Sequence, residues 1–180
     1  MNDKRLAIGA VAPDFNLPGV DGKDHSLQSF SSHPIVVVIF SCNHCPYVQA
    51  YEDRMIALQH LYRDKGVALV AINANETENH PEDTFEKMVT RSRSKGFNFP
   101  YLRDETQKIA DAFGAHYTPE IFLFDSKRRL QYTGKIDDHW QDANQVKVQH
   151  LRDAIESLLS GRPIGDPETN AIGCTIKWAK

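Results

Sequence analysis

Six consecutive apolar residues, Ile35-Val36-Val37-Val38-Ile39-Phe40, run almost directly into Cys42-Asn43-His44-Cys45-Pro46. All but the last of the six are β-branched, which favours a strand. They do not alternate with polar residues, so the strand needs cover on both faces. Pro46 suits an early helical position. After it, Val48, Tyr51, Met55, Leu58 and Tyr62 recur at three- and four-residue spacing and form one apolar helix face. Gly66 supplies a stop. A buried strand, a two-cysteine loop and a helix therefore follow one another, an arrangement that belongs to α/β proteins.

The rest of the chain extends that pattern. Phe15 to Leu17 and His25 to Leu27 flank Asp21-Gly22 and read as a hairpin. Val67 to Ile72 is a second buried strand, and Pro81-Glu82-Asp83 opens a helix to about Lys95. Phe99 to Leu102 is a short extended piece, followed by a short helix from Thr106 to Phe113. Ile121 to Phe124 is a third apolar strand, turned by Asp125 to Arg128 into Arg129 to Tyr132. A last helix is expected from Asn144 to Ser160, with Val148, Leu151, Ile155, Leu158 and Leu159 towards the sheet. The expectation is a three-layer α/β sandwich: a mixed central sheet, helices on both faces and an N-terminal hairpin. Residues 1–180 read as a single domain, with 161–180 a C-terminal tail packed on it. The cysteine loop then lies at the carboxyl end of the first buried strand, where open α/β sheets bind ligands.

A net charge of -3 gives no reason to expect a nucleic-acid partner. No apolar stretch approaches membrane-spanning length, so no membrane partner is expected. The first residues lack the apolar segment of a secretory signal, which makes the cytoplasm the expected compartment. Three cysteines leave one pair plus Cys174, too few for a disulfide scaffold at this length.

The chemistry centres on the pair. A thiol at a helix N-terminus meets unpaired N–H groups and the positive end of the dipole, which stabilise a thiolate. Cys42 is the candidate nucleophile, at the helix start where its sulfur can reach solvent. Cys45, inside the first turn, is the candidate resolving thiol. His44 can stabilise a Cys42 thiolate and make the disulfide more oxidising, and Asn43 can donate to sulfur. Either can also be simply solvated. A zinc pair is the competing reading, but closed zinc sites take four ligands and the motif supplies two. No metal or other cofactor is expected. Thr118-Pro119 precedes the third strand; a proline there cannot continue a ladder, and cis and trans forms both fit. Cys174 reads either as a small packed hydrophobe or as an extra resolving thiol for Cys42. Asn73 to Pro81 reads as a solvated loop, the alternative being a border of the active face that selects partners.

These pieces resemble the thioredoxin-like superfamily, in particular its redoxin branch of alkyl hydroperoxide reductase and thiol-specific antioxidant relatives. The matching residues are Ile8 to Leu17, Val36 to Phe40, Cys42 to Pro46 and Thr118 to Asp125. The resemblance implies a thioredoxin-like sandwich, a cis Pro119, Cys42 as attacking thiol, Cys45 as resolving thiol and Thr118 as backbone contact for substrate. It implies thiol–disulfide exchange with a thiol or disulfide partner. Neither that partner, the electron donor nor the oligomeric state can be read. Two departures stand out. The buried aspartate of thioredoxin's central strand is replaced by Val36, with Glu120 a candidate substitute. The threonine that precedes a peroxidatic cysteine is replaced by Ile39 or Cys42, so exchange is favoured over a noncanonical thiol peroxidase. A redox-sensing or metal-binding module is the third reading.

Overall fold

The computed structural model describes residues 5–180. Its central sheet is built from β3 (Ile35–Phe40), β4 (Val67–Asn73), β5 (Tyr101–Arg103), β7 (Glu120–Phe124) and β8 (Leu130–Gly134). Their order is β5-β4-β3-β7-β8. β3, β4 and β5 run parallel, while β7 lies antiparallel to β3 and to β8. A hairpin of β1 (Asn16–Pro18) and β2 (Asp24–Ser26) precedes the sheet. Near the end, β9 (Cys174–Thr175) pairs antiparallel with β6 (Tyr117–Thr118).

The unbroken apolar runs are explained by cover on both faces. Val37, Ile39, Leu69, Ala71, Ile121 and Leu123 pack against α1 (Pro46–Tyr62), α2 (Phe85–Lys95) and α4 (His150–Leu159). Their neighbours Val36, Val38, Val70, Ile72, Phe122 and Phe124 face the other way, onto Phe15, Phe30 and α3 (Lys108–Phe113). Period-2 alternation thus survives in the structure although hydropathy hides it. All five apolar positions expected on α1 are buried.

Two helices differ from expectation. The segment from Pro81 breaks at Thr84, whose ψ of 152° is extended, into a 3-10 turn and α2. The turn aims the Asp83 carboxylate into the interior, where buried donors collect on it. The last helix begins at His150 rather than Asn144, because Asp142 caps a separate turn and Val146 is extended. Val148 is consequently exposed, not packed on the sheet. In the tail, Ile176 is buried and Trp178 packs beside it, whereas Ile172 is exposed.

Candidate active site

β3 delivers the cysteine loop and α1 carries it away. Cys45 is the residue immediately before α1, and Pro46 is its first helical residue. Neither cysteine lies inside the helix, which corrects the expected placement. Access is corrected too: Cys42 is only 2% exposed and Cys45 is fully buried. Both sulfurs meet Thr118. The Cys42 Sγ lies 3.5 Å from Thr118 Oγ1, and the Cys45 thiol donates to the Thr118 carbonyl at 3.3 Å. The Thr118–Pro119 bond is cis. The Thr118 backbone is not an open edge, however, because β9 already pairs with it, Cys174 opposite Thr118.

The two thiols are coupled, and Cys45 is the one drawn towards the thiolate. The interaction with Cys42 is the main cause, and the Cys174 thiol and the backbone amides of Val48 and Cys174 add to it, holding Cys45 down to about 4. Cys42 is pushed the opposite way, by the same interaction, by burial and by the Asp83 carboxylate. Cys45 occupies the residue before the first helical turn, where unpaired N–H groups and the helix dipole favour a thiolate. The sulfur they stabilise is the second of the motif, not the first as expected.

On the other side of Cys42 lies a polar cage that sequence reading missed. Asp83 accepts from the Asn43 N–H at 2.6 Å, from Asn75 Nδ2 at 2.9 Å and from Asn73 Nδ2 at 3.2 Å. His44 Nδ1 donates to its second oxygen at 2.5 Å. Asn43 does not reach sulfur. Its backbone N–H goes to Asp83, its Nδ2 donates to the Glu82 carbonyl, its Oδ1 accepts from Tyr101 and its carbonyl accepts from Gln49. Burial keeps the Tyr101 hydroxyl protonated. The His44 ring stacks on His80, which in turn donates to Glu76. The segment from Asn73 to Pro81 is therefore part of the site, not a plain solvated loop. Cys42 Sγ, a His44 ring nitrogen and an Asp83 oxygen lie within 4.8 Å of one another, the one such group among the described residues that can hold a metal ion.

Glu120 is elsewhere. Its buried carboxylate accepts from the His116 and Tyr117 N–H groups and pairs with Arg5 at 2.8 Å. Its place beside Pro119 in sequence does not bring it to the sulfurs, because the side chain points back to the residues before β6.

Residues 8–133 match the model of the AhpC/TSA family, well over half of the chain. The chain belongs to the AhpC/TSA family. Among relatives of this AhpC/TSA chain, thiol-disulfide oxidoreductase ResA of Geobacillus thermodenitrificans (strain NG80-2) is 28% identical over 148 residues, covering 81% of this chain and 77% of the relative. The crystal structure of an uncharacterized conserved protein from Geobacillus kaustophilus is 38% identical, with a TM-score of 0.91, and covers 99% of this chain and 96% of that one. The thioredoxin domain of a thiol-disulfide oxidoreductase from Bacteroides vulgatus, 19% identical with a TM-score of 0.59, covers 69% of this chain and 86% of that one and shares the fold. The AhpC/TSA chain thus has the thioredoxin-like sandwich expected from its motifs.

Proposed function

We propose that this protein is a thiol–disulfide oxidoreductase in which Cys42 and Cys45 interconvert between dithiol and disulfide against a thiol or disulfide partner. The observation that carries this reading is the convergence of both sulfurs on Thr118, Cys42 on its hydroxyl and Cys45 on its carbonyl. Cys42 keeps the attacking role because it alone of the pair retains any exposure, and it lies beside the partly exposed His44 ring. Cys45 acts first as base: a proton passes from Cys42 to Cys45. The Cys42 thiolate then attacks a partner disulfide, one partner sulfur leaves with the electron pair, and a mixed disulfide forms on Cys42. Cys45 attacks the Cys42 sulfur as its proton passes to the departing partner sulfur, which releases the second partner thiol and closes the Cys42–Cys45 bond. The exchange needs no cofactor, and an electron donor of unassigned identity reopens the bond. Thr118 orients both sulfurs, His44 and Asp83 set the charge around Cys42, and Pro46 starts the helix.

No helix of the described residues is long and apolar enough to cross a membrane. The cytoplasm remains the proposed compartment. The similarity to ResA supports exchange, and the contact Cys42 makes is to Thr118 rather than to a threonine upstream in its own loop, which argues against a peroxidase. The Cys42–His44–Asp83 group supports a second reading, capture of a divalent cation, for which the Asp83 oxygens would have to release their present donors.

The test is trapping with a peptide disulfide. The Cys45→Ser protein should accumulate a mixed disulfide on Cys42, Cys42→Ser should not, and the parent should turn over. A mixed disulfide retained on Cys45 in the Cys42→Ser protein at parental rate would reverse the roles. Failure of the parent to form the 42–45 bond would remove the mechanism. Zinc per chain in freshly reduced protein tests the second reading.

A further inference from the structure

The C-terminal segment supplies a third sulfur to the same site. β9 lies antiparallel on β6 with Cys174 opposite Thr118. Gly173 makes this approach possible: a Cβ there would run into the Thr118 carbonyl oxygen. Residues just beyond the strand fasten it. The Lys177 N–H donates to Asn75 Oδ1, and the Lys177 carbonyl accepts from Gln107 Nε2. Cys174 is half-buried and packs on the Cys42–Cys45–Val48 cluster. The Thr118 carbonyl that Gly173 packs against is the one on which the Cys45 sulfur rests, which places Cys174 on the Cys45 side of the pair, and the two thiols act on each other electrostatically.

We propose that Cys174 is a third redox-active thiol whose exchange partner is Cys45, not Cys42. This rests on the reading of Cys42–Cys45 as an exchanging pair. Starting from the oxidised site, Cys174 loses its proton to water and its sulfur attacks the Cys45 sulfur. The Cys174–Cys45 bond forms, the Cys45–Cys42 bond breaks, and the electron pair leaves on Cys42, which takes up a proton. One disulfide and one thiol enter and one of each emerges, so no external oxidant or reductant is consumed. The product differs in kind from the starting disulfide. It frees the Cys42 sulfur for a partner while fixing β9 across Thr118, so that an oxidised inner bond coexists with a reduced Cys42. Burial, followed by the Cys45 thiol, pushes Cys174 up to about 11. The Cys45 contribution disappears once Cys45 is in a disulfide, which ties the attack to the oxidised site.

Full-length Cys42→Ser protein, oxidised with excess oxidised glutathione and digested without reduction, should yield a monomeric 45–174 crosslink as its main intramolecular disulfide. Cys45→Ser protein treated alike should give little 42–174 crosslink. The oxidised parent is mapped beside them with rising pH and should form the 45–174 bond faster as Cys174 ionises. A parent that forms 42–45 but no 45–174 bond at any pH, with Cys42→Ser giving only glutathionylated or intermolecular products, would overturn the inference and leave the exchange reading standing. A parent that forms neither bond would overturn both. Because the parent carries its own readout, misfolding of a variant does not decide the matter.

Discussion

Two buried carboxylates, Asp83 and Glu120, look alike in the sequence and serve different ends. Both are 0% exposed, and both collect backbone N–H donors. They differ in the group opposite. Glu120 meets Arg5, a guanidinium that never gives up its charge. Asp83 meets His44, whose imidazole can exchange a proton, and the Cys42 sulfur lies within the same 4.8 Å. A carboxylate set against a permanent cation fixes chain geometry. One set against an imidazole and a thiol can respond to the chemistry. The lesson is that what faces a buried acid, not its burial or its neighbours in sequence, assigns its role.

The sharpest way to break this comparison is to delete both acids. Asp83→Ala leaves the Asn43 N–H and the Asn73 and Asn75 amides without their acceptor. It should cost about 3–5 kcal/mol, read by urea denaturation. Glu120→Ala strands two N–H groups and Arg5 and should cost a similar about 2–4 kcal/mol. Only the Asp83 change should alter the sulfur. The Asp83→Asn protein, which removes charge with little change of shape, should alkylate Cys42 with a pH midpoint lower by on the order of one unit. An equal shift in Glu120→Gln would erase the distinction.

The pH dependence of the potential sharpens it next. In the reduced protein Cys45 is held down to about 4 while Cys42 is held up. Above that value, reduction of the disulfide takes up one proton rather than two. The midpoint potential should therefore fall by about 30 mV per pH unit between roughly pH 5 and 8, not by about twice that. Glutathione equilibria across the range check it; the doubled slope would mean that both thiols keep their protons.

A smaller effect is expected at His44. In His44→Ala the Asp83 charge stands uncompensated beside Cys42, which disfavours the reduced thiolate. The potential should drop by about 30 mV, equal to about 1.4 kcal/mol. An unchanged or higher value would remove His44 from the tuning. The smallest belongs to Arg5, whose side chain is 31% exposed. Arg5→Met should cost about 1 kcal/mol or less after solvent screening and leave Cys42 alkylation unchanged. A changed alkylation rate would link the Glu120 pair to the sulfurs after all.

The fold was legible because its signals are local. The Ile35–Phe40 run, the spacing from Val48 to Tyr62 and the turn glycines each report on a few neighbouring residues, and β3, α1 and the stop at Gly66 follow them. The cysteine pair and Thr118 were legible through motif and order. Asp83 was not. As the third residue of Pro81-Glu82-Asp83 it reads as a favourable acid at a helix start. Only the packing of β4 brings Asn73 and Asn75 against it. The polar residues ending an otherwise apolar strand were the available signal. Val148 failed for a related reason: helical spacing cannot show that Asp142 caps a separate turn upstream. Cys174 was legible as a possible third thiol, but its partner depends on the register of β9, which no spacing reveals.

Asn43 has one more consequence. With its N–H, carbonyl and both amide ends tied to α1, β5 and the turn at Glu82, the stretch between the cysteines is clamped like the fixed jaw of a vice. Opening and closing the disulfide is then left to rotation of two side chains. The clamp predicts that the oxidised and reduced molecules present nearly the same outline. A partner cannot sort them by shape, and the direction in which electrons pass is governed by the difference in potential between the two proteins.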